Sequence, residues 1–216
     1  MTAPRFIRPA VLALFVAVIA LAGLGLPSSA AAPAMSAGKT VDNLNAAFNG
    51  ESNAHARYLA FAAKAADEGY GEVASLFRAA ARAEEIHAAN HAVVIKKLGG
   101  VPKADIQTPD VKSTKENLEA AIKGESYERD TMYPEFLAQA RKEGQRDAIE
   151  TFNFAKSAEN EHAKLYTAAL NGLGALKGSQ AKPYYVCTVC GFTTTKLDFA
   201  KCPVCFNPKD KYVQVS

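Results

Sequence analysis

The chain has 216 residues, of which 49% are hydrophobic and 22% are charged. This composition is ordinary for a globular protein and allows one substantial core with a small second unit. The formal net charge is +3, two of the positive charges, Arg5 and Arg8, lie near the start, and no block of basic residues occurs. The charge therefore argues against nucleic acid as a partner.

The first segment has the features of a targeting sequence. Arg5 and Arg8 precede an uncharged run over residues 10–26, and small residues follow over 28–34. We predict that residues 1–34 form a signal peptide and that the protein is exported, to the periplasm or the cell envelope. The alternative is an uncleaved membrane anchor, for which the apolar run is just long enough. No other membrane association is predicted.

The rest of the chain contains an internal repeat. Gly50-Glu51-Ser52 recurs as Gly124-Glu125-Ser126, and Glu84-x-x-His87 recurs as Glu159-x-x-His162. The first pair of motifs is 74 residues apart and the second pair is 75 residues apart, so the second copy has gained one residue. Residues added inside a helix are usually accommodated as a π-bulge, often at a functional site. We expect a π-bulge in the third helix, the alternatives being a looser alignment of the two copies or a difference in loop length.

Four long helices are predicted from apolar residues that recur every three or four positions. Each repeat supplies two helices joined by a tight turn, at Gly69 or Gly144, and a longer connection between the repeats allows a crossover. Ser113-x-x-Glu116 resembles a capping box at the start of the third helix. We predict an all-α ferritin-like four-helix bundle over residues 35–174, with helices over 41–68, 71–98, 114–143 and 146–174.

Glutamate and histidine side chains occupy inward positions on these helices. A buried charge costs on the order of several kcal/mol unless it is paired or binds a metal, so we expect cations among them. Ferritin-like di-iron and di-manganese proteins use one Glu from each of two helices and Glu-x-x-His from the other two, and iron or manganese accepts such ligands. The predicted metal ligands of the bundle are Glu51, Glu84, His87, Glu125, Glu128, Glu159 and His162.

These motifs resemble those of the rubrerythrin family, and so do Gly124-Glu125-Ser126-Tyr127-Glu128 and Met132-Tyr133-Pro134-Glu135-Phe136. The resemblance extends from about residue 41 to the C-terminus. Glu128 is the distinguishing residue, because the first repeat has Ala54 at the matching position, and an extra carboxylate here separates rubrerythrins from ferritins.

The resemblance implies a di-iron site and a role for each ligand. Glu125 and Glu159 would bridge the two irons, Glu51, Glu84 and Glu128 would be terminal ligands, and His162 would bind one iron. The other iron would exchange between His87 and Glu128 as its redox state changes. Tyr58 and Tyr133 match family tyrosines that hydrogen-bond the ligand glutamates, with ordinary core packing as the alternative. The predicted catalytic residues are Glu128, Tyr58 and Tyr133.

His55 and His91 are not part of the predicted ligand set. His91 lies on the inward face one turn after His87, where the family usually carries a large apolar residue. We expect both to be core or surface histidines, the alternative being a supporting role beside the metal ligands.

The C-terminal part contains two Cys-x-x-Cys turns, which suit tetrahedral metal binding. Residues 175–183 are predicted to be a linker, and residues 184–216 resemble the rubredoxin-like domain of rubrerythrins, which implies one iron. Zinc is the alternative metal, and two disulfides are the alternative in an oxidising compartment. The predicted ligands are Cys187, Cys190, Cys202 and Cys205.

The resemblance also implies an enzyme that reduces hydrogen peroxide to water in defence against oxidative stress. Electrons would pass through the cysteine-bound iron from an electron donor that the sequence does not identify. The family further implies a homodimer in which the cysteine domain of one subunit lies close to the di-iron site of the other. The alternatives are ferroxidase activity with iron storage and a metal-binding protein with structural zinc in its tail.

Overall fold

The computed structural model of the protein describes residues 38–216 and consists of a helical bundle with a small sheet packed on it. The predicted signal peptide over residues 1–34 lies outside the described residues. Within 38–216, no helix is both long enough and apolar enough to cross a membrane.

The four predicted helices are present. The first two are α1 (Gly38–Asp67) and α2 (Gly71–Lys97). The third consists of α3 (Thr114–Tyr127), a π-helical turn (Glu128–Met132) and α4 (Tyr133–Lys142), so the expected π-bulge is confirmed. The fourth is α5 (Arg146–Asn171), which ends earlier than predicted, with Gly172 as its C-cap, and is followed by the single turn α6 (Leu173–Leu176).

Local sequence accounts for the ends of these helices. Gly69 and Gly144 have positive φ, at 76° and 67°, and allow the tight turns within the two hairpins. Ser113 and Glu116 form the predicted capping box at the start of α3. Glu68, just past the end of α1, accepts a hydrogen bond from the backbone N–H of Thr114 at 2.9 Å and so ties the two hairpins together.

The bundle core consists of two apolar clusters. One is built around Tyr58, Phe77 and Tyr166, and the other around Tyr133 and Phe152. On α1, on α5 and on the third helix, the predicted metal ligands lie between residues of one cluster and residues of the other; on α1, for example, Ala47 and Ala54 flank Glu51 on its two sides. The polar residues therefore form one layer across the middle of an otherwise apolar core.

The C-terminal part is a three-stranded antiparallel sheet. Its strands are β1 (Tyr184–Cys187), β2 (Thr193–Thr194) and β3 (Tyr212–Val215), in the order β2-β1-β3. Val186 of β1 pairs with Thr193 on one side and Val213 on the other. We refer to residues 184–216 as the cysteine module. Tyr184 and Val186 join the apolar cluster around Phe77, so the sheet packs directly on the bundle.

The segment predicted to be a linker is bound to the bundle. Its first two residues belong to α6, and Gly178 and Ser179 lie beside the turn between α1 and α2. The N–H of Gly71 donates to the carbonyl of Ser179 at 3.2 Å, and the N–H of Gly178 donates to the carbonyl of Gly69 at 2.7 Å. The segment thereby directs β1 onto the bundle of its own chain.

Candidate metal centres

The predicted ligands from the four helices meet in one buried cluster. Their side chains form two overlapping groups in which all potential ligand atoms lie within 4.8 Å of one another. Each member is at most 1% exposed. The first group is Glu51, Glu84, His87 and Glu159, and the second is Glu84, Glu125, Glu159 and His162.

Glu84 and Glu159 belong to both groups, which differs from the expected bridging pair of Glu125 and Glu159. The reason is the Glu-x-x-His spacing, which places Glu and His on one face of a helix, and α2 and α5 turn these faces toward each other. Nδ1 of His87 lies 2.8 Å from Glu84 and 3.2 Å from Glu159. Nδ1 of His162 lies 3.3 Å and 3.0 Å from the same two residues. Two metal ions held by the two groups would therefore share Glu84 and Glu159, whereas Glu125 belongs to one group only.

Glu128 is a member of neither group. It is the first residue of the π-helical turn and is partly buried. Burial of its carboxyl group and the negative charge of Glu125 raise its pKa well above the ordinary value. The structure has His87 within the cluster and Glu128 outside both ligand groups.

Two tyrosines donate hydrogen bonds to the terminal glutamates across the repeat. Tyr58 of the first repeat donates to Glu125 of the second at 2.6 Å. Tyr133 of the second repeat donates to Glu51 of the first. Both side chains are at most 1% exposed. The hydrogen bonds expected of both tyrosines are present, and they follow the symmetry of the duplication.

The donor set fits a pair of divalent cations. Among residues 38–216, Oε2 of Glu51, Oε1 of Glu84, Oε2 of Glu125 and both carboxylate oxygens of Glu159 are buried without a hydrogen-bond partner. Such atoms are rare in folded proteins unless a ligand satisfies them. Burial and the neighbouring negative charges raise the pKa of Glu51 and of Glu125 well above the ordinary value. Cations would remove both the unsatisfied oxygens and the repulsion.

The rings of His87 and His162 are oriented with one nitrogen toward the glutamates and the other away from them. Burial alone would lower the pKa of His87, but the carboxylates of Glu159 and Glu84 raise it to about 10. Nδ1 of both His87 and His162 faces the glutamates, so Nδ1 is the atom positioned to bind metal. Nε2 of each ring points away from the cluster, toward the cysteine module.

Both Nε2 atoms contact the cysteine module directly. Nε2 of His87 lies 3.1 Å from the carbonyl oxygen of Cys190, and Nε2 of His162 lies 3.0 Å from Oγ1 of Thr193. Asn90 adds a 2.9 Å hydrogen bond to the carbonyl of Val189. The expectation placed this domain beside the site of a partner subunit, whereas here the chain's own module lies there. The expectation of a homodimer stays a prediction.

The four cysteines converge as predicted. Their sulfur atoms lie within 4.8 Å of one another, and the pairs Cys187–Cys205 and Cys190–Cys202 are each 3.6 Å apart. A disulfide requires about 2.05 Å, so the alternative of two disulfides is wrong for this structure. Tetrahedral metal sites with sulfur at about 2.3 Å from the ion have similar sulfur–sulfur spacings.

The two cysteine turns share a backbone feature. In each, the residue after the second cysteine has a positive φ, 77° at Gly191 and 59° at Phe206. The N–H of each of these residues donates to the carbonyl of the first cysteine of its turn, Cys187 or Cys202. The requirement for glycine is strict only at position 191, because a Cβ there would lie 2.2 Å from Nε2 of His87.

The two remaining histidines differ in their surroundings. Nδ1 of His55, on α1, is 2.7 Å from the carbonyl of Ala81 on α2, a contact within one hairpin. His91 is fully buried, and its Nε2 lies 3.1 Å from the hydroxyl of Tyr133 while its Nδ1 lies 3.0 Å from the hydroxyl of Thr151. Burial, followed by the charge of His87, lowers the pKa of His91 to about 3.

Thr151 is a buried partner of His91 that the sequence did not predict. It lies eight residues, about two helical turns, before Glu159 and is therefore on the same face of α5. A polar residue at this inward position was the available signal, although a threonine alone is too common in helices to be informative.

Comparisons with known proteins agree with the geometry. The family model for rubrerythrin matches residues 42–170. The chain is 41% identical over 176 residues to nigerythrin from Nitratidesulfovibrio vulgaris, covering 81% of this chain and 86% of that protein. It is 38% identical over 180 residues to rubrerythrin-2 from Clostridium acetobutylicum, covering 80% of this chain and 95% of that protein. A solved structure of nigerythrin in its fully reduced, all-ferrous state has a TM-score of 0.75 at 39% identity, covering 81% of this chain and 86% of that one.

Proposed function

This chain belongs to the rubrerythrin family, and we propose that it reduces hydrogen peroxide to water with electrons that enter through its cysteine module. The observation that carries the proposal is the contact between its two metal sites, in which the carbonyl oxygen of Cys190 lies 3.1 Å from Nε2 of His87. An iron–thiolate centre transfers one electron at a time, and a two-metal site can use two. Their direct connection suits a two-electron reduction.

The glutamates and histidines of the cluster would hold two iron ions, and the four cysteines would hold a third. Ferrous ions at the cluster would supply two electrons and Lewis acidity for cleavage of the O–O bond. One hydrogen peroxide molecule, two protons and two electrons give two water molecules, while two ferrous ions become ferric. The reaction therefore needs a source of protons and a route for returning electrons.

The chain's own residues hold the ligands and the protons in place. The phenol groups of Tyr58 and Tyr133 donate hydrogen bonds to Glu125 and Glu51, respectively, and the apolar clusters on both sides exclude bulk water from the metal ligands. In our proposal Glu128 and His87 would serve as alternative ligands of one iron, according to its redox state. The position of Glu128 at the start of the π-helical turn, outside the two ligand groups, supports this exchange.

Electrons would return through the hydrogen bond between Cys190 and His87. Because the His87 ring lies against both Glu84 and the Cys190 carbonyl, one residue connects the two sites. Cys205 is the most exposed of the four cysteines and marks the side that an external electron donor can approach. We also propose that the protein acts outside the cytoplasm, in defence against oxidative stress. The N-terminal sequence of the protein isolated from cells tests the cleavage of residues 1–34.

The proposal is tested by anaerobic stopped-flow absorption on the fully reduced mature protein. One equivalent of hydrogen peroxide is added, and the bands of both iron centres are followed against a sample that receives oxygen. The control is a protein with zinc in the cysteine site and iron in the bundle, because only its bundle iron can be oxidised. We expect fast oxidation of both centres by peroxide, slow oxidation by oxygen, and fast oxidation of the bundle iron in the control.

Other outcomes contradict the proposal in distinct ways. Faster oxidation by oxygen than by peroxide would indicate a ferroxidase. A protein isolated from its natural source with zinc at the cysteine site would indicate a metal-binding role for the module and remove the proposed electron route.

A further inference from the structure

A continuous chain of hydrogen bonds connects one face of the bundle to the metal cluster. It runs from Thr151 on α5 through His91 on α2 and Tyr133 on α4 to Glu51 on α1. Thr151 is 5% exposed, and the other three side chains are fully buried. Four helices thus each contribute one residue to a line of polar groups inside an apolar core.

The hydrogen bonds in this chain have a single direction. Glu51 as a metal ligand can only accept, so the hydroxyl of Tyr133 donates to it. That hydroxyl has one proton, so Nε2–H of His91 must donate to the oxygen of Tyr133. A neutral imidazole then has an acceptor at Nδ1, and the hydroxyl of Thr151 donates to it. Every donor in the chain points toward the cluster.

The outer end of the chain reaches a surface cavity of about 280 Å³. The cavity is lined by Thr151 together with Lys97, Asp147 and Glu150, so water and ionisable side chains can exchange protons there. The cluster itself is at most 1% exposed and has apolar residues on both sides.

The internal repeat provides a comparison within the same molecule. Tyr58 occupies in the first repeat the position of Tyr133 in the second, and it makes the equivalent hydrogen bond to Glu125. The counterparts of His91 and Thr151, 75 residues away, are Tyr166 and Leu76. Leu76 is apolar, and the hydroxyl of Tyr166 has no hydrogen-bond partner among residues 38–216. The polar connection to the surface is therefore built on one side only.

We propose that Thr151 and His91, acting through Tyr133, relay protons from this cavity to the Glu51 side of the cluster. A proton passes from the Thr151 hydroxyl to Nδ1 of His91, the proton at Nε2 passes to Tyr133, the phenolic proton of Tyr133 passes to the carboxylate of Glu51, and the cavity reprotonates Thr151. The imidazole stays neutral, but each transfer moves its proton from Nε2 to Nδ1, so the ring must return to the Nε2–H tautomer before it relays the second proton. The relay rests on the proposed function, in which each peroxide consumes two protons, and it gives His91 a role that core packing does not explain.

Three substitutions test the relay in the fully loaded protein. His91→Leu and Thr151→Val break the chain, whereas His91→Gln retains one acceptor and one donor, can hold Tyr133 in place and cannot relay a proton. Tyr166→Phe is the matched control on the opposite side. The rate of oxidation of the reduced protein by hydrogen peroxide is measured in H2O and D2O, with iron content and the absorption of both centres confirming intact sites.

We expect the three relay variants to react at least about tenfold more slowly, with a larger solvent isotope effect, and Tyr166→Phe to match the wild-type protein. A wild-type rate in His91→Gln would show that His91 only positions Tyr133, and unchanged rates in all variants would also overturn the relay. If the wild-type protein itself fails to react with peroxide, the proposed function is wrong instead.

A second measurement is independent of activity. In the zinc-loaded protein, 15N NMR of the histidine side chains reports the His91 tautomer. The relay requires a neutral ring with the proton on Nε2, and Thr151→Val should shift the Nδ1 resonance most. A proton on Nδ1 would reverse the direction of the chain and overturn the proposal whatever the peroxide rates are.

Discussion

The Cys190 carbonyl and the His87 ring are hydrogen-bonded to each other at 3.1 Å, so a ligand of one metal site touches a ligand of the other. Gly191 makes this approach possible, because its missing Cβ would lie 2.2 Å from Nε2 of His87. The two centres can therefore approach this closely only because residue 191 has no Cβ.

Gly191→Ala should separate the cysteine module from His87. The methyl group cannot be accommodated at 2.2 Å, so we expect slower reduction of the bundle iron by the cysteine-bound iron, with both metal contents retained. Gly178→Ala is the control, since Gly178 also has a positive φ, 79°, but has no atom within 4 Å of a Cβ. Rapid-mixing absorption measures the electron transfer, and an unchanged rate in Gly191→Ala would exclude this route.

Thr193→Val should weaken metal binding at His162. The hydroxyl of Thr193 lies 3.0 Å from Nε2 of His162, and loss of such a supporting contact typically costs about 10- to 100-fold in metal affinity. Thr193→Ser retains the hydroxyl and should bind metal as the wild-type protein does. Competition with a chromophoric chelator measures the affinity. Equal affinities for the valine and serine variants would show that the contact does not support His162.

Glu128→Ala should impair peroxide turnover more than iron binding. Glu128 lies outside both ligand groups in this structure, so the cluster retains its other carboxylates and both histidines without it. We expect two irons per bundle and a loss of turnover of about tenfold or more. Glu135→Ala, at an exposed position on α4, serves as the control. Unchanged turnover in Glu128→Ala would contradict the proposed ligand exchange.

Removal of metal should lower the thermal stability of the protein. Without cations, the buried oxygens of Glu51, Glu84, Glu125 and Glu159 lack partners among the described residues, and any ligand that binds only the folded state raises its stability. Calorimetry of the metal-free and zinc-loaded proteins should therefore give a lower unfolding temperature for the metal-free form. Equal unfolding temperatures would mean that the glutamates are satisfied in another way.

Glu68→Ala should destabilise the junction between the two hairpins by about 1 kcal/mol, as the loss of a helix N-terminal hydrogen bond usually does. Hydrogen bonds from Thr114 lower the pKa of Glu68 to about 2. Because this pKa is below the ordinary value of 4.5, the stabilisation is present above that value and is lost as the pH falls toward 2.

Urea unfolding is measured for the wild-type protein and for Glu68→Ala at several pH values. The difference between their free energies of unfolding gives this contribution, because the effect of the metal cluster is the same in both proteins. The difference should shrink between pH 5 and pH 3. Glu119, which is exposed on α3, provides a control substitution to alanine with little effect. A difference that grows in acid would show that the charge of Glu68 is not what stabilises the junction.

Periodicity and motif spacing were sufficient to predict the four helices, the π-bulge and the convergence of six of the seven proposed bundle ligands, whereas Glu128 lies outside both ligand groups. The helical repeat places Glu84 and His87 on one face in any α-helix, so local geometry alone brings them together. That Glu84 and Glu159 belong to both ligand groups could not be predicted in this way, because it depends on how α2 and α5 face each other. The position of the cysteine module on the bundle could not be predicted either, because it depends on contacts of Ser179 and Gly191 that leave no periodic pattern in the sequence.

The π-helical turn has a consequence for the two halves of the bundle. One added residue would rotate everything after it by about 100° around the helix axis, yet Tyr133 still matches Tyr58 in its hydrogen bond to a terminal glutamate. The five residues Glu128–Met132 therefore take up the whole rotation. The pseudo-twofold symmetry of the bundle is thus kept on both sides of this turn, and the turn itself brings a carboxylate, Glu128, to one half only, because the first repeat has Ala54 at the matching position.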